Sequence, residues 1–221
     1  MILEIRKDKE EEKIRLESRV LMLSMVEVEI LRFLNEFGFC EISQIIKQFC
    51  MKKTCAYDYM GRLLKRELII NPRVLKFQPR AYYLTLRGID ILKLDLPLIK
   101  KIPLNIYEHQ LAVIDVYISL MKIYPDAVWI SERRLTREKA GINDHLPDGA
   151  LVFPDGKHCA IEVGKTLKAK DRLEDIMLRY GLQFNYKEVW YFCSASVMPS
   201  VSKFAASMPY IKVFRLGDFI S

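Results

Sequence analysis

Two acids in the second half of the chain are spaced to share a cation. In Leu146-Pro147-Asp148-Gly149-Ala150-Leu151-Val152-Phe153, Pro154-Asp155-Gly156-Lys157 and then His158 to Thr166, two largely apolar runs flank a turn signal. A three-residue hairpin loop at Pro154-Asp155-Gly156, with Gly156 left-handed, sets Phe153 against Lys157. Carried back along the strands, that register puts Asp148 opposite Glu162. Opposed residues share a face with β-carbons about 5 Å apart, and carboxylates so close repel unless a divalent cation lies between them. A loop register different by one residue places the two acids on opposite faces.

More polar groups fall on residues 106–124, whose apolar periodicity predicts a helix. Glu108, Ala112, Asp115 and Ser119 make one stripe, with His109 beside it, and the stripe faces either solvent or a site. Tyr107 is the candidate for a protein nucleophile because Glu108 and His109 adjoin it, with simple packing as the alternative; adjacent residues on a helix do not face each other. Glu132, in Ser131-Glu132-Arg133, ends a strand and is either a site residue or half of a surface ion pair.

The elements that must hold these groups follow an αβββαβαβ order. A helix over 106–124 precedes strands at 128–131, 150–153 and 159–163, a helix over 167–184, a strand at 189–193, a helix over 199–207 and a strand at 211–216. The first three strands are close enough to be joined as hairpins and the later ones are joined through helices, so the expected fold is an α/β sandwich with a mixed sheet.

The first half reads differently. A long helix from Glu10 to Phe37 is stopped by Gly38, a short one spans 41–50, and Thr54 can cap a third that runs through Glu67. Strands at 68–70 and 81–85 flank a turn at Asn71-Pro72-Arg73, and a helix covers 86–92. The net charge of the 221 residues is +7. Between Lys52 and Arg87 lie nine basic residues (Lys52, Lys53, Arg62, Lys65, Arg66, Arg73, Lys76, Arg80, Arg87) against two acidic ones, a local excess equal to that of the whole chain. Such a stripe is the footprint of a polyanion partner, most often nucleic acid, or else a solvated basic face.

With 51% hydrophobic, 29% charged and 11% aromatic residues, the chain is neither disordered, collagenous nor a disulfide scaffold. The five cysteines, Cys40, Cys50, Cys55, Cys159 and Cys193, are odd in number and include no C-x-x-C pair, which points to reduced thiols rather than a zinc site. The charged N-terminus and the lack of a long apolar run predict a cytoplasmic protein without membrane insertion. Three regions are expected: residues 1–96, a linker at 97–105 around Pro97 and Pro103, and residues 106–221.

Residues 20–95, with L-L-K-R-E-L-I-I, a basic hairpin and Y-Y-L-T-L-R-G-I-D-I-L, resemble a winged helix-turn-helix. In that arrangement Lys52, Lys53, Arg62, Lys65 and Arg66 lie on or before the third helix, and Arg73, Lys76 and Arg80 on the wing, two basic elements for groove and phosphates. Such domains also serve as protein-interaction modules.

Across nearly the whole chain, Tyr107-Glu108-His109, Asp115, Ser131-Glu132-Arg133, Pro147-Asp148-Gly149 and I-E-V-x-x-T-x-K from Ile161 to Lys168 resemble the MobC-type plasmid relaxases, the replication-relaxation family. The resemblance implies an N-terminal winged helix joined to a restriction-endonuclease-like PD-(D/E)XK domain. It matches Asp148 and Glu162 to metal-binding acids, Lys168 or Lys165 to the lysine, and Tyr107-Glu108 to a Tyr-Glu pair. That family usually reads E-x-E where this chain has Glu162-Val163-Gly164, and Glu108 or water is the candidate substitute as a metal ligand. The implied function is a plasmid mobilization relaxase that binds origin-of-transfer DNA and nicks one strand with Mg²⁺ or Mn²⁺, beside a relaxosome accessory protein and a coupling protein. The alternative class is a non-enzymatic DNA-binding regulator with a degenerate nuclease-like domain; a third is a nuclease that cuts both strands.

Overall fold

The structure is a computed structural model that describes residues 23–138, 145–166, 170–182 and 185–220. It divides between Ile102 and Pro103 into two compact units.

The first unit opens with α1 (Met25–Phe37). The sequence predicts that this helix runs from Glu10, but the backbone at Ser24 is extended and its side chain forms a capping box. Ser24 Oγ accepts the Glu27 N–H at 3.2 Å, and Glu27 Oε2 accepts the Ser24 N–H at 2.8 Å. Two donors that a helix start otherwise leaves unpaired are thereby satisfied, which fixes the start at Met25. The part of the expected helix before residue 23 lies outside the described residues. Gly38, at φ 82°, closes α1 as anticipated, its N–H returning to the Leu34 carbonyl.

Then follow β1 (Phe39–Glu41), α2 (Ile42–Gln48), α3 (Lys53–Lys65), β2 (Ile69–Ile70), β3 (Ala81–Leu84) and α4 (Leu86–Leu92). The strands form an antiparallel three-stranded sheet in the order β1-β3-β2. β1 is too short and too fully buried to show an alternating pattern, and the sequence reading passes over it. Nor does Thr54 cap α3, because Lys52 occupies the cap position. Ile30, Leu31, Leu34, Ile45, Met60 and Leu63 pack as the core, each at most 1% exposed. Asn35 Nδ2 donates to the Leu96 carbonyl at 3.1 Å and Asn35 Oδ1 accepts the Leu96 N–H at 3.3 Å. Leu96 and Ile102 are buried, so part of the expected linker at 97–105 belongs to this unit.

The second unit comprises α5 (Tyr107–Ile123), β4 (Val128–Ser131), α6 (Glu132–Glu138), β5 (Gly149–Val152), β6 (His158–Gly164), α7 (Lys170–Leu182), β7 (Glu188–Cys193), α8 (Met198–Ala205) and β8 (Ile211–Arg215). A five-stranded sheet runs β4-β5-β6-β7-β8, its first two pairings antiparallel and its last two parallel. The anticipated mixed α/β sheet is present, with α6 added directly after β4. On one face Ala160, Tyr191 and Cys193 pack with Leu173, Met177 and Tyr180 of α7 and Val201 of α8. Trp190, Phe192 and Phe214, whose side chains alternate with those residues, form an aromatic row with Tyr124, Phe153 and Phe219. Among the described residues no helix is long and apolar enough to cross a membrane, and all five cysteines are free, with Cys40, Cys159 and Cys193 buried.

Glu27, 2% exposed, also accepts from Arg62 Nε at 3.0 Å. Burial raises its pKa, but the hydrogen bonds from Ser24 and Arg62 outweigh that, and the net shift is downward from 4.5. A lowered carboxylate contributes stability above its unfolded pKa and loses it as pH falls through the folded one. We therefore expect Glu27→Gln to cost about 1–3 kcal/mol at pH 7. In urea titrations the gap between variant and wild type narrows as pH drops below about 4.5.

Candidate active site

The hairpin of β5 and β6 has the register read from its loop. Gly156 is left-handed at φ 79°, and Phe153 N–H reaches the Lys157 carbonyl at 2.9 Å. Pairing runs from Val152↔His158 to Gly149↔Ile161, so Asp148, one residue before β5, stands across from Glu162. At this point β5 has ended but β6 has not. The Val163 N–H, which a longer β5 would pair, is accepted instead by Asp148 Oδ2 at 2.7 Å. On the other side the Glu132 N–H reaches the Asp148 carbonyl at 3.4 Å. Asp148 thereby completes the sheet by its side chain and is fixed by it.

Histidines meet both acids. An ionised carboxylate only accepts, so His109 Nε2–H donates to Asp148 Oδ1 at 2.9 Å and His145 Nε2–H to Glu162 Oε1 at 2.7 Å. Tyr180 of α7 donates to the same Glu162 oxygen at 2.5 Å. Glu162 is 1% exposed, and a carboxylate so buried is tolerated only with such donors. Burial first, then the negative Glu162, holds the Tyr180 hydroxyl well above its usual pKa, so it remains a donor. Glu132 at the start of α6 keeps an exposed edge. Desolvation by its surroundings is the largest cause that raises its pKa; Asp148 and Glu162 add to this, and His109 and His145 oppose it. Three carboxyl groups and two imidazoles thus form one electrostatic cluster where β4 ends, β5 begins and β6 ends. His145 and Tyr180 are the members the sequence reading missed. His145 lies shortly before Pro147-Asp148-Gly149, which is a usable signal, whereas Tyr180 reads only as an apolar helix position.

The other candidates separate. Lys165 Nζ donates to Glu108 Oε2 at 2.8 Å, which lowers the Glu108 pKa. The candidate lysine and the candidate substitute ligand are therefore partners of each other. Tyr107 is 1% exposed; as placed, it is a packed side chain and not a nucleophile open to a substrate. Lys168 lies outside the described residues. In the expected polar stripe, Ala112 is buried and Ser119 Oγ donates to the Phe219 carbonyl at 2.7 Å, a packing bond rather than a site.

In the first unit, Lys52, Lys53 and Lys65 are exposed, as are Arg73, Lys76 and Arg80 on the connection between β2 and β3, while Arg66 is half-buried. Arg62 is exposed too, but its guanidinium is held by Glu27 and lies 4.3 Å from the centre of the Tyr59 ring. Its charge is thus paired with Glu27 while the side chain stays half-exposed. Arg87 pairs with Glu67 at 3.0 Å.

Asp148 and Glu162 are oxygen donors of the kind a hard cation takes, and Mg²⁺ binds through one or two carboxylates with water and phosphate completing its shell. Among the described residues no group of three or more His, Cys, Asp or Glu is placed to hold a metal ion. No family model, curated protein or solved structure matches the chain.

Gly164 has a packing reason. A Cβ there would stand 2.9 Å from Tyr191 Cε1 and 3.5 Å from Val197 Cγ1, so the position where a second acid was sought points into an aromatic ring. We expect Gly164→Ala to destabilise by about 1–3 kcal/mol, and Gly164→Glu by more, in chemical denaturation. Unchanged stability in Gly164→Ala would show that the ring yields.

Proposed function

We propose that this chain is a DNA-processing protein in which the first unit, a winged helix-turn-helix, binds duplex DNA. The second unit, related to PD-(D/E)XK endonucleases, nicks one strand. The observation that carries this reading is the hairpin register that opposes Asp148 and Glu162 at the end of a mixed sheet. The motifs shared with plasmid mobilization relaxases make an origin of transfer the substrate we favour, with a relaxosome accessory protein and a coupling protein as partners in the cytoplasm.

Asp148 and Glu162 would hold Mg²⁺ or Mn²⁺. Such an ion supplies charge neutralisation at the phosphate and a water of lowered pKa. The chain's own residues do the positioning. His109 and the Val163 N–H fix both oxygens of Asp148, and His145 and Tyr180 orient Glu162. Supports of this type are what keep catalytic carboxylates within reach of a productive geometry. Lys165 or Lys168 provides the cation for charge developing on the phosphoryl oxygens.

A non-enzymatic DNA-binding regulator is the second reading. It is favoured by the pairing of Lys165 with Glu108 and by the Tyr191 ring where a second acid would stand.

Supercoiled origin plasmid with Mn²⁺ discriminates the two. Nicking is expected from the natural protein and is lost, by at least about a hundredfold, in Asp148→Asn and Glu162→Gln, with DNA binding retained in gel shifts. An inert natural protein that still binds the plasmid selects the regulator.

Duplex binding is expected to fall steeply with salt. Replacing Lys52, Lys53 and Lys65 together by Glu is expected to weaken it at least tenfold at low salt. Arg62→Gln, whose charge is already paired with Glu27, is expected to change affinity less than the triple replacement. Equal losses in these two variants would return Arg62 to the DNA-binding set.

A further inference from the structure

The connection between β2 and β3 ends in an aromatic ring that the fold does not use. Phe77 is 92% exposed, the most exposed large hydrophobic side chain among the described residues. The same loop turns its other apolar residues, Val74 and Leu75, half inward, so an inward position is within this segment's reach. Leaving a phenylalanine in water forgoes the burial that normally accounts for its presence. Its setting is cationic. Residues 71–80 contain Arg73, Lys76 and Arg80 and no acid, and the Lys76 ammonium lies 5.5 Å from the centre of the ring.

The loop is braced below its tip. Arg73 Nη1 donates to the Lys76 carbonyl at 3.4 Å, Arg80 Nη1 to the Asn71 carbonyl at 3.1 Å, and the Ala81 N–H to the Pro72 carbonyl at 3.3 Å. These bonds tie the two legs of the loop together. Phe77 is presented outward between Lys76 and Gln78, on backbone already held in shape, which reduces the ordering cost of contact.

We propose that Phe77 is a stacking wedge that enters a DNA duplex where the base stack is interrupted. This rests on the reading of the first unit as DNA-binding. A phenyl ring carries no hydrogen-bond donor with which to read base edges, and its strongest available contact with nucleic acid is face-to-face with a base. The base must first be uncovered. The flanking cations meet the phosphates on either side of the opened step and contribute the salt-dependent part of the affinity. The preferred substrate is therefore a duplex already unstacked at one point, since the unstacking cost has been met before binding.

The full-length protein is titrated against two fluorescent duplexes of about 20 base pairs, one fully paired and one with a single-base bulge, over a series of salt concentrations. The wild type is expected to favour the bulged duplex. Phe77→Ala is expected to lose about tenfold or more on the bulged duplex and little on the paired one. Its dependence of log affinity on log salt remains that of the wild type, because no phosphate contact is removed. Phe77→Trp is expected to restore the preference. Identical binding by wild type and Phe77→Ala on both duplexes overturns the wedge and leaves the DNA-binding reading intact. Failure of the wild type to bind either duplex overturns both. Binding to phosphatidylserine vesicles that requires Phe77, with none to DNA, also overturns it, by assigning the tip to a membrane surface.

Discussion

The three-residue turn at Pro154-Asp155-Gly156 fixes what happens at the far end of the hairpin it closes. Because side chains alternate along a strand, one residue more or less in that loop would exchange the two faces of β5. With Gly156 left-handed and Phe153 bonded to Lys157, Asp148 falls across from Glu162. The rest of the site depends on that pairing. Asp148 is held because β5 begins two residues after Pro147, the residue that would oppose Val163, and a side-chain oxygen takes the place of a backbone carbonyl for the Val163 N–H. A ladder contact and a site residue are then the same group, so removing the carboxylate affects both.

Close carboxylates are costly in any fold, and the elements around the hairpin offset that cost unequally. Glu162, almost fully buried, receives His145 and Tyr180; Asp148 receives His109 and a backbone N–H. These donors come from α5, from α7, from β6 and from the residues just ahead of β5, so the site requires several elements to be in place together. The parallel half of the sheet contributes by exclusion. Tyr191, paired with Glu162 across β6 and β7, fills the space beside Gly164, and any side chain at that glycine competes with the ring.

What was legible in the sequence was whatever depends on short-range rules. Alternation and loop chemistry placed the β5–β6 register, and helical periodicity placed α5, α7 and α8 to within a few residues. The mixed character of the sheet followed from connection lengths. Groups governed by packing were not legible. Glycine at position 164 reads in one dimension as a missing acid, and only the neighbouring strand reveals the Tyr191 ring against it. Tyr107 has the same difficulty, for a tyrosine beside an acid and a histidine looks reactive until it is found inside the core. Nor does a count of charges along the chain reveal the pairing of Arg62 with Glu27, which lies in a different helix and outside the basic segment. β1, with three buried residues, and α6, which starts without any loop after β4, lack the punctuation that marks an element in a sequence.

Glu132 records how these forces balance. Its pKa is raised by desolvation and by Asp148 and Glu162, against the pull of the two histidines. Glu132 is the most exposed of the three acids, Asp148 being half-buried and Glu162 buried. The crowding of the cluster is felt at Glu132, and any positive charge arriving there is favoured by relief of the same repulsion.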